Sequence, residues 1–122
     1  MSKYKKTTFK TSFQNAFHGL ALIWKSEKNF RTHCFLGVVV LILALVLRFE
    51  GDELAILALT IGLVLVCETL NTALEFGLDA VFKNKFSRLV GMAKDISAAA
   101  VTISAITSVV VGICLFCHNL ID

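Results

Sequence analysis

Apolar positions along the chain recur first at helical spacing and then in unbroken runs. Phe9, Phe13, Ala16, Phe17, Leu20, Ile23 and Trp24 lie three or four residues apart, with Lys10, Asn15, His18 and Lys25 elsewhere around the wheel. That pattern predicts an amphipathic helix over about residues 9–28. It suits the headgroup layer of a membrane, with aromatics dipping towards acyl chains and lysines meeting anionic lipid. A surface helix docked on the rest of the fold would show the same pattern. Beyond it, Cys34 to Leu47 carries no charge, and Leu54 to Cys67 continues, with acids inserted, to Phe82. Ile96 to Cys117 holds 22 uncharged residues, roughly 33 Å of helix. A hydrocarbon layer of about 30 Å needs about 20 such residues, so the last run meets the spanning criterion. The first is short, and Arg31 and Arg48 are expected to snorkel at its two ends. The expected architecture is an all-α membrane protein, one domain over 1–122. An amphipathic surface helix is followed by membrane helices over about 32–49, 54–82 and 88–117.

Composition agrees. The 122 residues are 57% hydrophobic and 17% charged, against about 45–50% and 25% in soluble domains. A water-soluble bundle and a disordered chain are both disfavoured. The seven glycines form neither GxxxxGK nor GxGxxG, which excludes a conventional P-loop or dinucleotide fold. No nucleic-acid partner is expected. Charge is segregated: Lys3, Lys5, Lys6, Lys10, Lys25, Lys28 and Arg31 precede the first run, and Lys83, Lys85, Arg88 and Lys94 follow the second. The connection at 48–53 holds one base and three acids. The positive-inside bias places the N-terminus and the 83–94 segment in the cytoplasm, and the 48–53 turn and the C-terminus outside. No cleavable leader is expected, because the N-terminus is polar and basic.

The acids carry the candidate chemistry. Glu68, Glu75 and Asp79 fall within about 20° of one line along the second span, with Asn71 and Thr72 within about 60°. Intramembrane acids default to an ion path, a proton relay or an active site, and a whole stripe is poorly explained as structural ion pairing. Glu68 and Glu75 are roughly 10 Å apart along the axis, a spacing that suits two separate tasks around one reacting group. Glu27 has two readings. It lies on the apolar stripe of the first helix, where a carboxylate needs a cationic partner, or the helix ends near Ser26 and leaves it in a turn. At the start of the third span Ser87 can N-cap a helix, and Gly91, Lys94, Asp95 and Ala98 share one face. Lys94 is a point charge suited to phosphate, with Asp95 able to orient it or bind a base or ribose. An interfacial snorkelling pair is the structural alternative. Further on, Ser97, Ala98, Ala99, Ala100, Ser104 and Ala105 are small residues that permit close helix packing.

These residues resemble the prokaryotic diacylglycerol kinase and undecaprenol kinase family. The match is Glu68-x-x-Asn71-Thr72-Ala73-Leu74-Glu75-x-x-x-Asp79, then Ala93-Lys94-Asp95-x-x-Ala98-Ala99-Ala100-Val101, with Trp24-x-x-Glu27-x-x-Phe30-Arg31 upstream. The resemblance covers about residues 9–117. It implies a homotrimer in the bacterial cytoplasmic membrane, with composite active sites that transfer the γ-phosphate of Mg-ATP to a membrane lipid alcohol. It also implies Glu68 as general base, Glu27 and Glu75 as Mg²⁺–ATP ligands, and Lys94 and Asp95 as nucleotide contacts supported by Asn71 and Asp79. The sequence departs from the diacylglycerol kinase pattern in several places. The stretch after Asp79 is one residue longer, and Lys85-Phe86-Ser87 replaces an acid-aromatic-histidine nucleotide contact, with Ser87 as the candidate there. Lys10 is the nearest but out-of-register counterpart of an early arginine, and Ala98 stands in place of a serine. These departures lean the acceptor towards undecaprenol, with diacylglycerol the alternative.

Two rival classes are open to this sequence. Cys114-Leu115-Phe116-Cys117-His118 matches C-x-x-C-H, the c-type haem attachment pattern, which suggests a membrane-anchored electron carrier. Only four residues follow His118, too few to build a haem pocket. A non-enzymatic subunit using the acidic stripe as a cation path is the other. Cys34 and Cys67 read as core filler.

Overall fold

The computed structural model describes residues 8–85 and 87–121. Lys3, Lys5 and Lys6 of the basic N-terminal segment, and Phe86, lie outside the described residues. Among the described residues the chain forms four helices: α1 (Phe9–Ser26), α2 (Lys28–Val46), α3 (Gly51–Phe82) and α4 (Arg88–Ile121). The last three are long and apolar enough to cross a membrane. At 1.5 Å per residue they measure roughly 29, 48 and 51 Å, so only α2 matches a hydrocarbon layer in length.

Thr8 starts α1, its Oγ1 accepting the Thr11 N–H at 3.2 Å. The helix stops at Ser26, and Glu27 takes an extended conformation (φ −122°, ψ 108°) between α1 and α2. Arg31 secures the break. Its Nη1 donates to the carbonyls of Trp24 and Lys25, oxygens that the end of α1 leaves without intrahelical donors. Arg31 is thus a helix cap rather than the snorkelling end of a span, and α2 starts at Lys28, about four residues before the expected boundary. Ile23 is the one residue of α1 that is buried; Phe9, Phe13, Phe17, Leu20 and Trp24 are exposed.

The opposite end of α2 closes in a Schellman turn. Phe49 N–H bonds Ala44 O at 3.0 Å and Arg48 N–H bonds Leu45 O at 3.1 Å. The turn needs a left-handed residue, and Arg48 supplies it at φ 61°. It drives Phe49 back onto Ala44 and Leu57, where its ring lies 4.8 Å from that of Phe116. The helix therefore ends at Val46, with Arg48 exposed in the turn. At the same end Asn119 donates to Glu53 at 2.8 Å, fastening the last turn of α4 to the first of α3.

α3 is central, packing most extensively on α4 and also on α2. Its buried positions, Leu57, Thr60, Val64, Glu68 and Thr72, recur every three or four residues. Gly37 of α2 permits the close approach of these two helices: a Cβ there would lie 2.8 Å from Ile61 Cγ2. The small-residue stretch of α4 divides. Ser104 is buried and Ala105 half-buried, whereas Ala98, Ala99 and Ala100 stay exposed. Because α2, α3 and α4 lie level at the Phe49 end, the extra length of α3 and α4 emerges at the other end, beside the α1–α2 junction. That surplus carries Glu75, Asp79 and Lys94, and Ser87 immediately precedes it on α4.

Candidate functional site

Most polar side chains inside the spans satisfy themselves locally. Thr60 and Thr69 each donate to the carbonyl four residues back, at 2.7 Å. Glu68 has no such recourse, since a carboxylate lacks a proton to give. It is 6% exposed, and its partner comes from α2: His33 Nδ1 hydrogen-bonds Glu68 Oε1. An ionised carboxylate only accepts, so Nδ1 carries the proton in that state. The second oxygen, Oε2, is buried and has no hydrogen-bond partner among the described residues, and neither has Asn71 Oδ1.

Both residues line a cavity of about 230 Å³ with Glu27, Phe30, Thr72, Ala98 and Thr102 also in its walls. Two buried acceptors without donors among the described residues, close to the carboxylate of Glu27, suit a cation or a hydroxyl. Glu27 reaches this cavity from the break between α1 and α2, so it lies in an extended junction rather than on a helical stripe. The fold brings it together with Glu68 and Asn71. Glu75 stands one turn beyond Asn71, its Oε1 accepting from Asn71 Nδ2 at 3.1 Å. Farther out, Lys94 Nζ donates to Asp79 Oδ1 at 2.7 Å. Lys94 thus pairs across helices with Asp79, while its neighbour Asp95 is exposed; the two do not share a packed face. Ser87 immediately precedes α4 and its carbonyl accepts the Gly91 N–H at 2.9 Å, the backbone role expected of a helix start.

His33 is the residue that sequence reasoning missed. Phe30, His33, Gly37, Val40 and Ala44 follow one another at three- and four-residue steps along the packed side of α2. A histidine on that seam is a legible signal, passed over because it precedes the uncharged run by one residue. His33 also lines a second cavity, an apolar groove of about 430 Å³ among α2, α3 and α4 with Gly37, Val40, Ile61 and Val64 in its walls. His33 lies at the end of this groove nearest the polar cavity.

Oxygen donors of this kind fit a hard cation. Mg²⁺ takes one or two carboxylates and fills its remaining positions with water and phosphate oxygens, rather than needing an all-protein cage. Among the described residues no three His, Cys, Asp or Glu side chains converge to form such a cage. All four cysteines are free thiols, Cys34 and Cys67 half-buried and Cys114 and Cys117 exposed.

A family model described as prokaryotic diacylglycerol kinase matches residues 14–116. The chain is 41% identical over 111 residues to a diacylglycerol kinase of Synechocystis sp., a match covering 91% of this chain and 63% of that protein. It therefore spans less than two thirds of the length of that relative. It is 33% identical over 112 residues to an undecaprenol kinase of Bacillus subtilis, covering 92% and 90% of the two chains. With a diacylglycerol kinase of Escherichia coli the identity is 30% over 95 residues, 78% of this chain and 77% of that one. The matched region holds α2, α3, nearly all of α4 and every candidate site residue, and the chain belongs to the prokaryotic diacylglycerol kinase family.

Proposed function

We propose that this protein transfers the γ-phosphate of ATP to the primary hydroxyl of a membrane lipid, with Glu68 as general base. One observation carries the reading: a buried carboxylate with Oε1 held by His33 and Oε2 unpartnered among the described residues, in the wall of a polar cavity also lined by Glu27 and Asn71. In the reaction Glu68 takes the hydroxyl proton as the lipid oxygen forms its bond to the γ-phosphorus. The bond from that phosphorus to the β–γ bridging oxygen breaks, and ADP departs with the electron pair. Phosphoryl transfer asks little else of a protein beyond positioning and charge neutralisation. Mg²⁺ supplies much of that neutralisation when bound, and Glu27 and Glu75 would hold it. Lys94, positioned by Asp79, would meet phosphate oxygens. Asp95, Asn71 and Ser87 complete the nucleotide-binding set.

The surroundings support a lipid acceptor. The apolar groove ends at His33, beside the base, so a lipid chain lying along it would present its hydroxyl near Glu68. The exposed aromatics of α1 suit the membrane surface next to Lys25 and Lys28. Those lysines share the site end with Lys83, Lys85 and Arg88, whereas Glu50, Asp52 and Glu53 occupy the other, which supports a cytoplasmic site and an outer C-terminus. Exposed apolar faces on all three spans, with Ala98–Ala100 and Asp95 open beside the site, support assembly with further copies as a homotrimer. Family membership favours the kinase reading over the electron-carrier and passive-subunit readings.

We take undecaprenol as the acceptor because Lys85, Ser87 and Ala98 depart from the diacylglycerol kinase pattern. The 41% identity to the Synechocystis diacylglycerol kinase favours diacylglycerol as the second reading. The test is label transfer from γ-labelled ATP in mixed micelles, with undecaprenol and diacylglycerol side by side. Transfer to undecaprenol at the higher kcat/KM is the expected result. Higher kcat/KM with diacylglycerol reverses the choice of acceptor, and ATP turnover independent of either lipid overturns the kinase reading.

A further inference from the structure

We infer that His33 is the positioning residue for the general base, fixing the Glu68 carboxylate so that Oε2 remains the proton acceptor. The inference rests on the proposed role of Glu68 but concerns a different residue on a different helix. Glu68 is buried on the packed side of α3, and the hydrogen bond from His33 Nδ1 is the contact that fixes its Oε1. Without that bond the carboxylate is free to rotate about its last torsion, a broad and soft one, and to exchange its two oxygens. Hydroxyl and amide groups nearby do not take over the role. Thr72 is one turn along the same helix, and Asn71 directs its Nδ2 to Glu75 instead.

The location of His33 adds a second argument. Its ring lines the apolar groove, whereas Glu68 lines the polar cavity, so their bond joins the two compartments. A side chain at this junction that were wholly apolar would leave Oε1 unsatisfied. One that carried a full carboxylate would repel Glu68. An imidazole meets both needs, with a ring carbon surface towards the groove and an N–H towards the carboxylate. His33 acts through Glu68 and does not itself exchange a proton with substrate.

Kinetics of single and double variants test this in the full-length protein in mixed micelles. His33→Leu removes the bond, and kcat should fall about 10- to 100-fold, the range of a lost hydrogen bond to a charged group. KM for ATP and for lipid should stay within about twofold, because ground-state binding does not use the bond. His33→Asn puts an amide where Nδ1 was and should recover most of that kcat; a merely space-filling histidine would not be rescued by a smaller polar residue. In a Glu68→Gln background, His33→Leu should cost little more, since residues acting as a unit are not additive. Wild-type kcat in His33→Leu, failure of His33→Asn to recover activity while its thermal melt stays normal, or fully multiplicative losses in the double variant would each overturn the role of His33. Undiminished activity in Glu68→Gln alone would instead overturn the assignment of the base. If His33→Leu does not fold, the kcat of His33→Asn against that of His33→Phe, which keeps a ring but offers no N–H, decides the same question.

Discussion

Replacing Glu68 by glutamine separates chemistry from folding more cleanly than any other change in this protein. The carboxamide has the same shape, and its oxygen can still accept the His33 Nδ1–H, so the cross-helix contact between α2 and α3 survives. What disappears is the basic oxygen. A general base contributes about 10²–10⁴ in rate, or about 3–5 kcal/mol at 1.36 kcal/mol per tenfold. The loss should fall on kcat, with Mg-ATP binding unchanged, because Glu27 and Glu75 are untouched. Glu68→Leu is the control for stability. It leaves the half-buried His33 N–H without its acceptor and should destabilise by about 1 kcal/mol, whereas Glu68→Gln should unfold close to wild type. The assay is label transfer to the lipid at saturating substrates, with ATP binding by equilibrium titration and unfolding by denaturant in micelles. A Glu68→Gln variant with kcat within a fewfold of wild type would refute the reasoning, and so would one whose loss traces to weakened ATP binding.

Three further outcomes are expected. Glu27→Gln and Glu75→Gln should each remove most Mg-ATP binding, and the double variant should be little worse than either, as for two ligands of one ion; additive losses in a binding titration would separate the two sites. Arg48→Gly should stabilise the protein by about 1 kcal/mol, because glycine adopts the φ of 61° without the strain an L side chain meets; an unchanged or lowered denaturation midpoint would contradict the Schellman assignment. Inactive Glu68→Gln chains mixed with inactive Lys94→Ala chains should regain partial activity if each site draws on two copies, and mixtures that stay inactive despite demonstrated co-assembly would confine both groups to one chain.

The spans were legible because each is a long uncharged run, a signal that depends on no partner. Their ends were less so. Expected starts at 32 and 54 fell three to four residues late, since Arg31 and Glu53 look like boundary charges. In the fold Arg31 belongs to the capping of α1, and Glu53 to that of α3, where it accepts the Glu50 N–H at 3.0 Å. The placement of Glu68, Asn71, Glu75 and Asp79 along one side of α3 was readable from 100° steps alone. Pairing across helices was not readable. Nothing in the spacing of α4 distinguishes a lysine facing Asp79 from one paired with adjacent Asp95, because that choice depends on how α4 is rotated against α3. His33 and Glu68 are 35 positions apart, and their meeting depends in part on the close approach that Gly37 allows at Ile61. Local periodicity states which face a residue occupies; only packing states what it faces.

The three acids of α3 show what that packing accomplishes. A charge facing acyl chains costs at least about 2.5–3.5 kcal/mol, so each acid needs compensation that suits its depth. Asp79 lies farthest along the protruding end of α3 and is half-exposed, and it takes a full ammonium from Lys94. Glu75, one turn nearer the membrane, takes an amide N–H from Asn71. Glu68 is deepest, level with the first turns of α2, and takes a single imidazole N–H on one oxygen. Compensation therefore weakens as depth increases, the reverse of what stability alone would select. Asp79 is tied up by its lysine and suited to holding that lysine in place. Under the proposed function Glu75 would offer its second oxygen to a cation. Glu68 keeps an oxygen without a hydrogen-bond partner among the described residues, in the wall of the polar cavity, and under the proposed function a lipid hydroxyl reaching it would supply the missing hydrogen bond.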